Sequence, residues 1–587
     1  MKFLSNVLAT IVGLFIFSLL AFFGIIIIAA IAGSGKDLPK AEKNSVLELD
    51  LSSISLDYTG KFSDPLLTLI MEDNSTGFTE VLEAIEAAME DDKIMGISLV
   101  NNFSMLGLAQ SKALRDQLER FKESGKFVVS YGNYYTQRDY YISSVADTIY
   151  LNPVGELDFK GLATEVMFFK DFQEKSGLKM EVIRHGKYKS AVEPFLANEM
   201  SPENREQISA LLKSAWSTIA EDVSRSRKIS IEQIDNIANT LGARTPEMAL
   251  EQNMIDKIGY EDEFHSGIKK ALGVEADKDY KKITVSDYAK AVTQTPKKGA
   301  SKDRIAVIYA QGEILGGEGN VSVIGEISMR RSLEEARKNK NIKAVVLRVD
   351  SPGGSALTSE LIWREIELTK KTKPVVVSMG NLAASGGYYI ACNANKIFAE
   401  PTTITGSIGV FGTLPNMTGL SRKMGLNTSQ VKTHDQALGY SVFQPLEEPF
   451  REVVTESIEQ VYTTFVNRVA TGRNMTFEQV DAVAQGRVWT GTEALEIGLV
   501  DALGGLQDAI AEAAKLAEIE KYRTRSFPEY DIKFLDQFMG GLFSSKSRET
   551  LIKAEIGEEA YQTLLQLRRL QERRGIQAMM PFELKIQ

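Results

Sequence analysis

The sequence predicts an α/β protein: two tandem copies of a domain built from repeated βαβ units, preceded by one N-terminal transmembrane helix. Three observations predict it. A strand–helix–strand pattern occupies residues 342–390. The same pattern occurs earlier in the chain at a constant offset of 248 residues. No charged residue stands between Phe3 and Gly35.

The βαβ reading rests on periodicity. KAVVLRVD (343–350) and KPVVVSMG (373–380) are apolar, β-branched runs, and the stretch between them, SALTSELIWREIELTKKT, has a helical pattern. MGISLV, AQSKALRDQLERFKES and KFVVSYGN repeat that order from residue 95 to 133. Gly132 and Asn133 align with Gly380 and Asn381, and Tyr140, Tyr141 and Ile142 with Tyr388, Tyr389 and Ile390. Pro153 and Gly161 fall on Pro401 and Gly409, and Lys175, Gly177 and Leu178 on Lys423, Gly425 and Leu426. One register holds them all, which marks an internal duplication. The chain then divides into an anchor at 1–40, a first repeat at 41–272, a linker at 273–303, a second repeat at 304–525 and a helical extension at 526–587. The linker closes on TQTPKKGASKD, and the extension contains the amphipathic run GEEAYQTLLQLRRLQERR.

The anchor reading comes from length. Val7–Ala32 is almost wholly apolar, and a bilayer-spanning helix needs about 20 such residues. A signal-peptide apolar region runs only about 7–15 residues. A cleaved signal and a buried core helix are the alternatives. Lys2 precedes the span while Lys36, Lys40 and Lys43 follow it, so the charge count does not itself place the body outside.

Composition excludes several classes. Net charge is −10 and no long basic block occurs, which argues against nucleic-acid binding. The single cysteine, Cys392, cannot form an intrachain disulfide. His185, His265 and His434 are the three histidines, and no Cys/His cluster has zinc spacing. No metal or cofactor is expected.

Three motifs carry candidate chemistry. DSPGG, Asp350 to Gly354, follows an apolar strand. Paired glycines let backbone N–H groups approach an oxyanion, although a plain tight turn has the same signature. NLAASGGY, Asn381 to Tyr388, puts Ser385 at the start of a helix, either as a nucleophile in a positive dipole field or as an ordinary N-cap. HGKYKSAVEPF, His185 to Phe195, contains Lys189. A lysine acts as a base only where burial or nearby positive charge lowers its pKa; otherwise it is a solvated surface charge. His185 and His434 are alternative bases, and no Ser-His-Asp order is legible.

The duplication narrows these choices. The 248-residue offset sends Ser385 to Gln137 and Lys189 to Ala437. Met105 and Leu106 stand in place of Gly353 and Gly354, and Phe159 in place of Ser407. Each copy lacks what the other keeps, as expected for one site assembled from both.

VDSPGGS, GNLAASGGYYIA, TGSIGVFG and YKSAVEPF together resemble the signal peptide peptidase A (protease IV) family in its long, duplicated form. The resemblance implies the Clp protease/crotonase fold, with Ser385 as nucleophile and Lys189 as general base. It further implies that Ser407 orients the lysine and that the N–H groups of Gly354 and Gly386 form the oxyanion hole. It implies a homotetramer in the bacterial inner membrane, its catalytic body on the periplasmic side, degrading cleaved signal peptides. A crotonase-type acyl-CoA enzyme and a non-catalytic membrane scaffold are the competing classes.

Overall fold

The computed structural model describes residues 40–62 except 55, 76–294 except 102, 301–530 and 577–580, with 6, 10–20, 23 and 24 at the N-terminus. Most of the predicted anchor and of the C-terminal extension lies outside the described residues. Residues 10–20 are helical, with Leu14, Phe15, Phe17 and Leu20 exposed. Among the described residues no helix is long and apolar enough to cross a membrane.

Each repeat forms a parallel sheet, and the strand order is the same in both. The first sheet runs Lys257–Ile258, Thr148–Leu157, Phe127–Tyr135, Ile94–Asn101, Ser45–Asp50, Lys281–Thr284. The second runs Ala502–Leu503, Lys396–Ala399, Val375–Ala384, Ile342–Ser351, Arg304–Gln311, Arg523–Phe527. Central strands such as Ile342–Ser351 are buried on both faces, which explains their continuous β-branched runs. Helices Leu108–Glu123 and Ala356–Lys370 make the crossovers. Matching buried pairs repeat as well. Tyr140 donates to Met254 O at 2.7 Å and Tyr388 to Leu499 O at 2.8 Å. Arg227 pairs with Asp256 and Arg473 with Asp501.

Part of the segment read as linker belongs to the first sheet. Lys281–Thr284 pairs with Ser45–Asp50, and the helix Val285–Gln294 follows it. Its counterpart is Arg523–Phe527, which runs past residue 525. Both are short, charge-bearing edge strands, a composition that reads as loop when no pairing partner is in view.

A third sheet ties the repeats together. Its order is Gly319–Asn320, Val323–Gly325, Glu313–Leu315, Gly353–Ser355, Gln577–Met579, Val410–Asn416, Lys179–His185. The last two strands come from different repeats and pair antiparallel from Val410↔His185 to Asn416↔Lys179. The strand at 577–579 lies in the segment read as a helical extension.

A buried ion pair also spans the repeats. Arg348 Nε donates to Asp57 Oδ2 at 2.6 Å, and Gln110 Nε2 donates to Asp57 Oδ1 at 2.8 Å. Removing one partner of a buried pair strands the other charge in a poorly solvated site. Asp57→Ala is therefore expected to cost about 3–5 kcal/mol in urea unfolding. Adding Arg348→Met should recover most of that loss; equal destabilisation in single and double variants would exclude this origin.

Candidate active site

Ser385 sits between the strand Val375–Ala384 and the helix Gly386–Ala391. It holds φ +54° and ψ −114°. A non-glycine residue there costs on the order of 1–3 kcal/mol, which the surrounding structure must supply. Its N–H donates to Gly406 O at 2.8 Å, which pins the turn. Its hydroxyl makes no helix-capping hydrogen bond, so the N-cap reading does not describe it.

The turn is aimed by a bulge. Val349 pairs with Met379, but Ser351 pairs with Ala383, so Gly380–Leu382 bows out of register. Asp350 fills the bow: its Oδ1 accepts from Leu382 N at 2.9 Å and its Oδ2 from Asn381 Nδ2 at 3.3 Å. Burial, with Asp57 close by, pushes the Asp350 carboxyl up to about 6. Bulges commonly re-aim side chains beside active sites.

Lys189 arrives from the other repeat. The strand Lys179–His185 ends at Gly186, whose φ of +101° turns the chain inward. Gln485 and Gly486, from the second repeat, clasp this turn. Tyr188 N donates to Gln485 O at 3.0 Å, and a Cβ on Gly486 would stand 2.7 Å from the Lys189 Cα. Lys189 is fully buried. Its Nζ lies 2.9 Å from Ser385 Oγ, 3.0 Å from Ser407 Oγ and 3.1 Å from Ser407 O. Burial alone drives its pKa well below the usual lysine range. Ser407 is likewise buried at φ +51°, its N–H donating to Arg487 O at 2.7 Å.

The glycine turn adjoins this cluster. Gly353 has φ +96°, and a Cβ there would lie 2.6 Å from Gly386 N. A Cβ on Gly354 would lie 2.1 Å from Ile314 O. Only glycines allow this approach, which gathers the turn and the helix start beside Ser385.

All five predicted site residues therefore lie in one region. The histidines are engaged elsewhere: His185 stacks on Tyr462 with its Nδ1 2.7 Å from Glu459, and His434 Nδ1 lies 3.1 Å from Thr433 Oγ1. Sequence reasoning missed the Gln485–Gly486 clasp and the Asp57–Arg348 bridge. The GQR-type turn after an unremarkable helix carries no local signal of what it holds.

Comparison with known proteins agrees with this arrangement. The profile of peptidase family S49 matches residues 120–275 and 367–520, one segment in each repeat. The chain belongs to peptidase family S49. Protease 4 of Salmonella typhi is 36% identical over 79% of this chain and 76% of its own length. Protease 4 of Haemophilus influenzae is 35% identical, covering 74% of this chain and 72% of its own. The chloroplastic serine protease SPPA of Arabidopsis thaliana is 34% identical, covering 82% and 70%. Membership accounts for the paired S49 segments as the two repeats that the sheet order displays.

Proposed function

We propose that this S49 chain is a membrane-anchored serine endopeptidase that works through a Ser385–Lys189 dyad and degrades cleaved signal peptides and other apolar, unfolded peptides. The observation carrying the reading is the 2.9 Å contact between a fully buried lysine amine and the Ser385 hydroxyl. A neutral amine has two protons and one lone pair. Ser407 O and Oγ take the two protons, which leaves the lone pair for the Ser385 hydroxyl. Lys189 removes that proton as Ser385 attacks the peptide carbonyl. The N–H groups of Gly354 and Gly386 hold the oxyanion; one such donor is worth about 2.7–4 kcal/mol of barrier. Lys189 then protonates the leaving amine, and water, activated by the same lysine, releases the acyl group.

The substrate class follows from the lining. Ala384 packs with Leu211 and Val488 on one side of Ser385, and Val192 packs with Phe411 on the other. Apolar peptides match these surfaces, and an anchor at 1–40 would keep the site near the bilayer where signal peptides remain. The inner-membrane location, the periplasmic body and the homotetramer are part of the same proposal, resting on the family resemblance.

The pH–rate profile tests the base. Activity requires the unprotonated lysine, so kcat/KM should fall as pH drops through the lowered Lys189 pKa. The midpoint should lie well below the ordinary lysine value of about 10.4. The profile should persist in His185→Gln and His434→Gln. Disappearance of the titration in either variant would move the base role to that histidine.

A further inference from the structure

We infer that the chain's own C-terminal strand occupies the peptide groove as a tethered substrate, and that Ser385 cleaves the Ala578–Met579 bond. The inference rests on the proposed nucleophilic role of Ser385. Gln577–Met579 pairs antiparallel with Gly353–Ser355, with Gly354 opposite Ala578. It is inserted between that glycine strand and Val410–Asn416, through Phe411↔Gln577. Met580 N donates to Pro352 O at 2.6 Å. An extended peptide added to an exposed strand edge is how many proteins bind chain substrates.

The side chains and the carbonyl fit the same role. Met579 joins Val192 and Phe411, and Met580 joins Leu211, Ala384 and Val488. Both apolar surfaces beside Ser385 are therefore filled by this strand. The Ala578 carbonyl oxygen lies 2.1 Å from where a Cβ on Gly353 would stand, and Gly386 N lies 2.6 Å from that same point. The Ala578 carbonyl thus enters the gap between the glycine turn and the helix start, where an oxyanion would form. Ser385 has no solvent exposure, as expected for a nucleophile covered by an occupant.

The step balances with water alone. Lys189 takes the Ser385 proton, and Oγ bonds to the Ala578 carbonyl carbon. The bond to Met579 nitrogen breaks, and that nitrogen receives the proton from Lys189. Water then cleaves the ester, leaving an Ala578 carboxylate and the peptide Met579–Gln587. The shortened chain still ends in the strand facing Gly354, so it continues to compete with other peptides. A tethered segment faces its site at roughly millimolar effective concentration.

The test uses the full chain in detergent, intact-mass measurement and a quenched fluorogenic apolar peptide. Purified wild type should end at Ala578 and Ser385→Ala at Gln587. A chain stopped after Ile576 should show a KM for the peptide at least about tenfold lower than wild type, with kcat unchanged, because the tethered competitor is gone. Met580→Asp, which keeps the full length but puts a charge against Leu211 and Val488, should lower KM in the same way. A wild type that ends at Gln587, hydrolyses the peptide through Ser385, and has the same KM as both variants would overturn the inference. That result would leave the proposed function standing. Loss of peptide hydrolysis is a different outcome: if wild type and truncated chain are both inert toward the peptide, the dyad reading itself fails, and this inference with it.

Discussion

Ser385→Ala and Lys189→Met are each expected to lower turnover of an apolar peptide on the order of a millionfold, the scale seen when a hydroxyl nucleophile or its base is removed elsewhere. The two effects should not add, because nucleophile and base act in one step. Both variants should fold. The first loses one oxygen. The second keeps nearly the volume of the lysine stem, whereas alanine would leave a cavity worth about 2–5 kcal/mol. Lys189→Met should be at least as thermally stable as wild type near neutral pH. In the unfolded chain a lysine binds a proton up to about pH 10.4, but in the fold burial holds this one neutral at much lower pH. Folding must therefore release a proton, a cost that shrinks as pH rises and that methionine removes altogether. Lys189→Arg restores charge without a usable lone pair and should be as inactive as methionine. Wild-type-like turnover in any of these variants, with circular dichroism confirming a native fold, would end the dyad proposal.

The repeat was legible because β-branched strand runs and paired glycines leave marks at fixed spacing. Gly132 and Gly380, or Tyr140 and Tyr388, align by eye, and the two sheets then share one strand order. The gathering of Ser385 and Lys189 was legible for a narrower reason: Gln137 and Ala437 stand where their copies should be. What holds Lys189 was not legible. The clasp by Gln485 and Gly486 joins residues nearly 300 positions apart, and neither carries a periodic or charged signature. The strands Lys281–Thr284 and Gln577–Met579 escaped for a related reason. Strands of three or four residues gain their identity from an open edge elsewhere, and an edge is a property of the folded sheet. The polar bridge of Asp57, Gln110, Arg348 and Asn381 was equally hidden, since each residue taken alone reads as surface.

Separately expressed halves, 41–300 and 301–587, are each expected to show no peptide hydrolysis, and co-refolding should restore it. The first carries Lys189 and the second carries Ser385, Ser407 and the glycine turn. Apart, each also loses its partner surfaces. The seven-residue pairing of Lys179–His185 with Val410–Asn416 would become two open edges, a known route to aggregation. Arg348 would lose Asp57, and the stacked rings of Tyr58 and Tyr309, 4.5 Å apart, would both meet water. Tyr58 also donates to Pro528 O at 3.0 Å, and Lys61–Phe62 pairs with Glu529–Tyr530, so the start of one half is sewn to the end of the other. Mixing two folded halves should therefore restore little activity, whereas refolding them together from denaturant should restore much more. The recovered activity should vanish when the first half carries Lys189→Met. Robust cleavage by 301–587 alone would show that a base inside the second repeat suffices, and the two-repeat site would have to be abandoned.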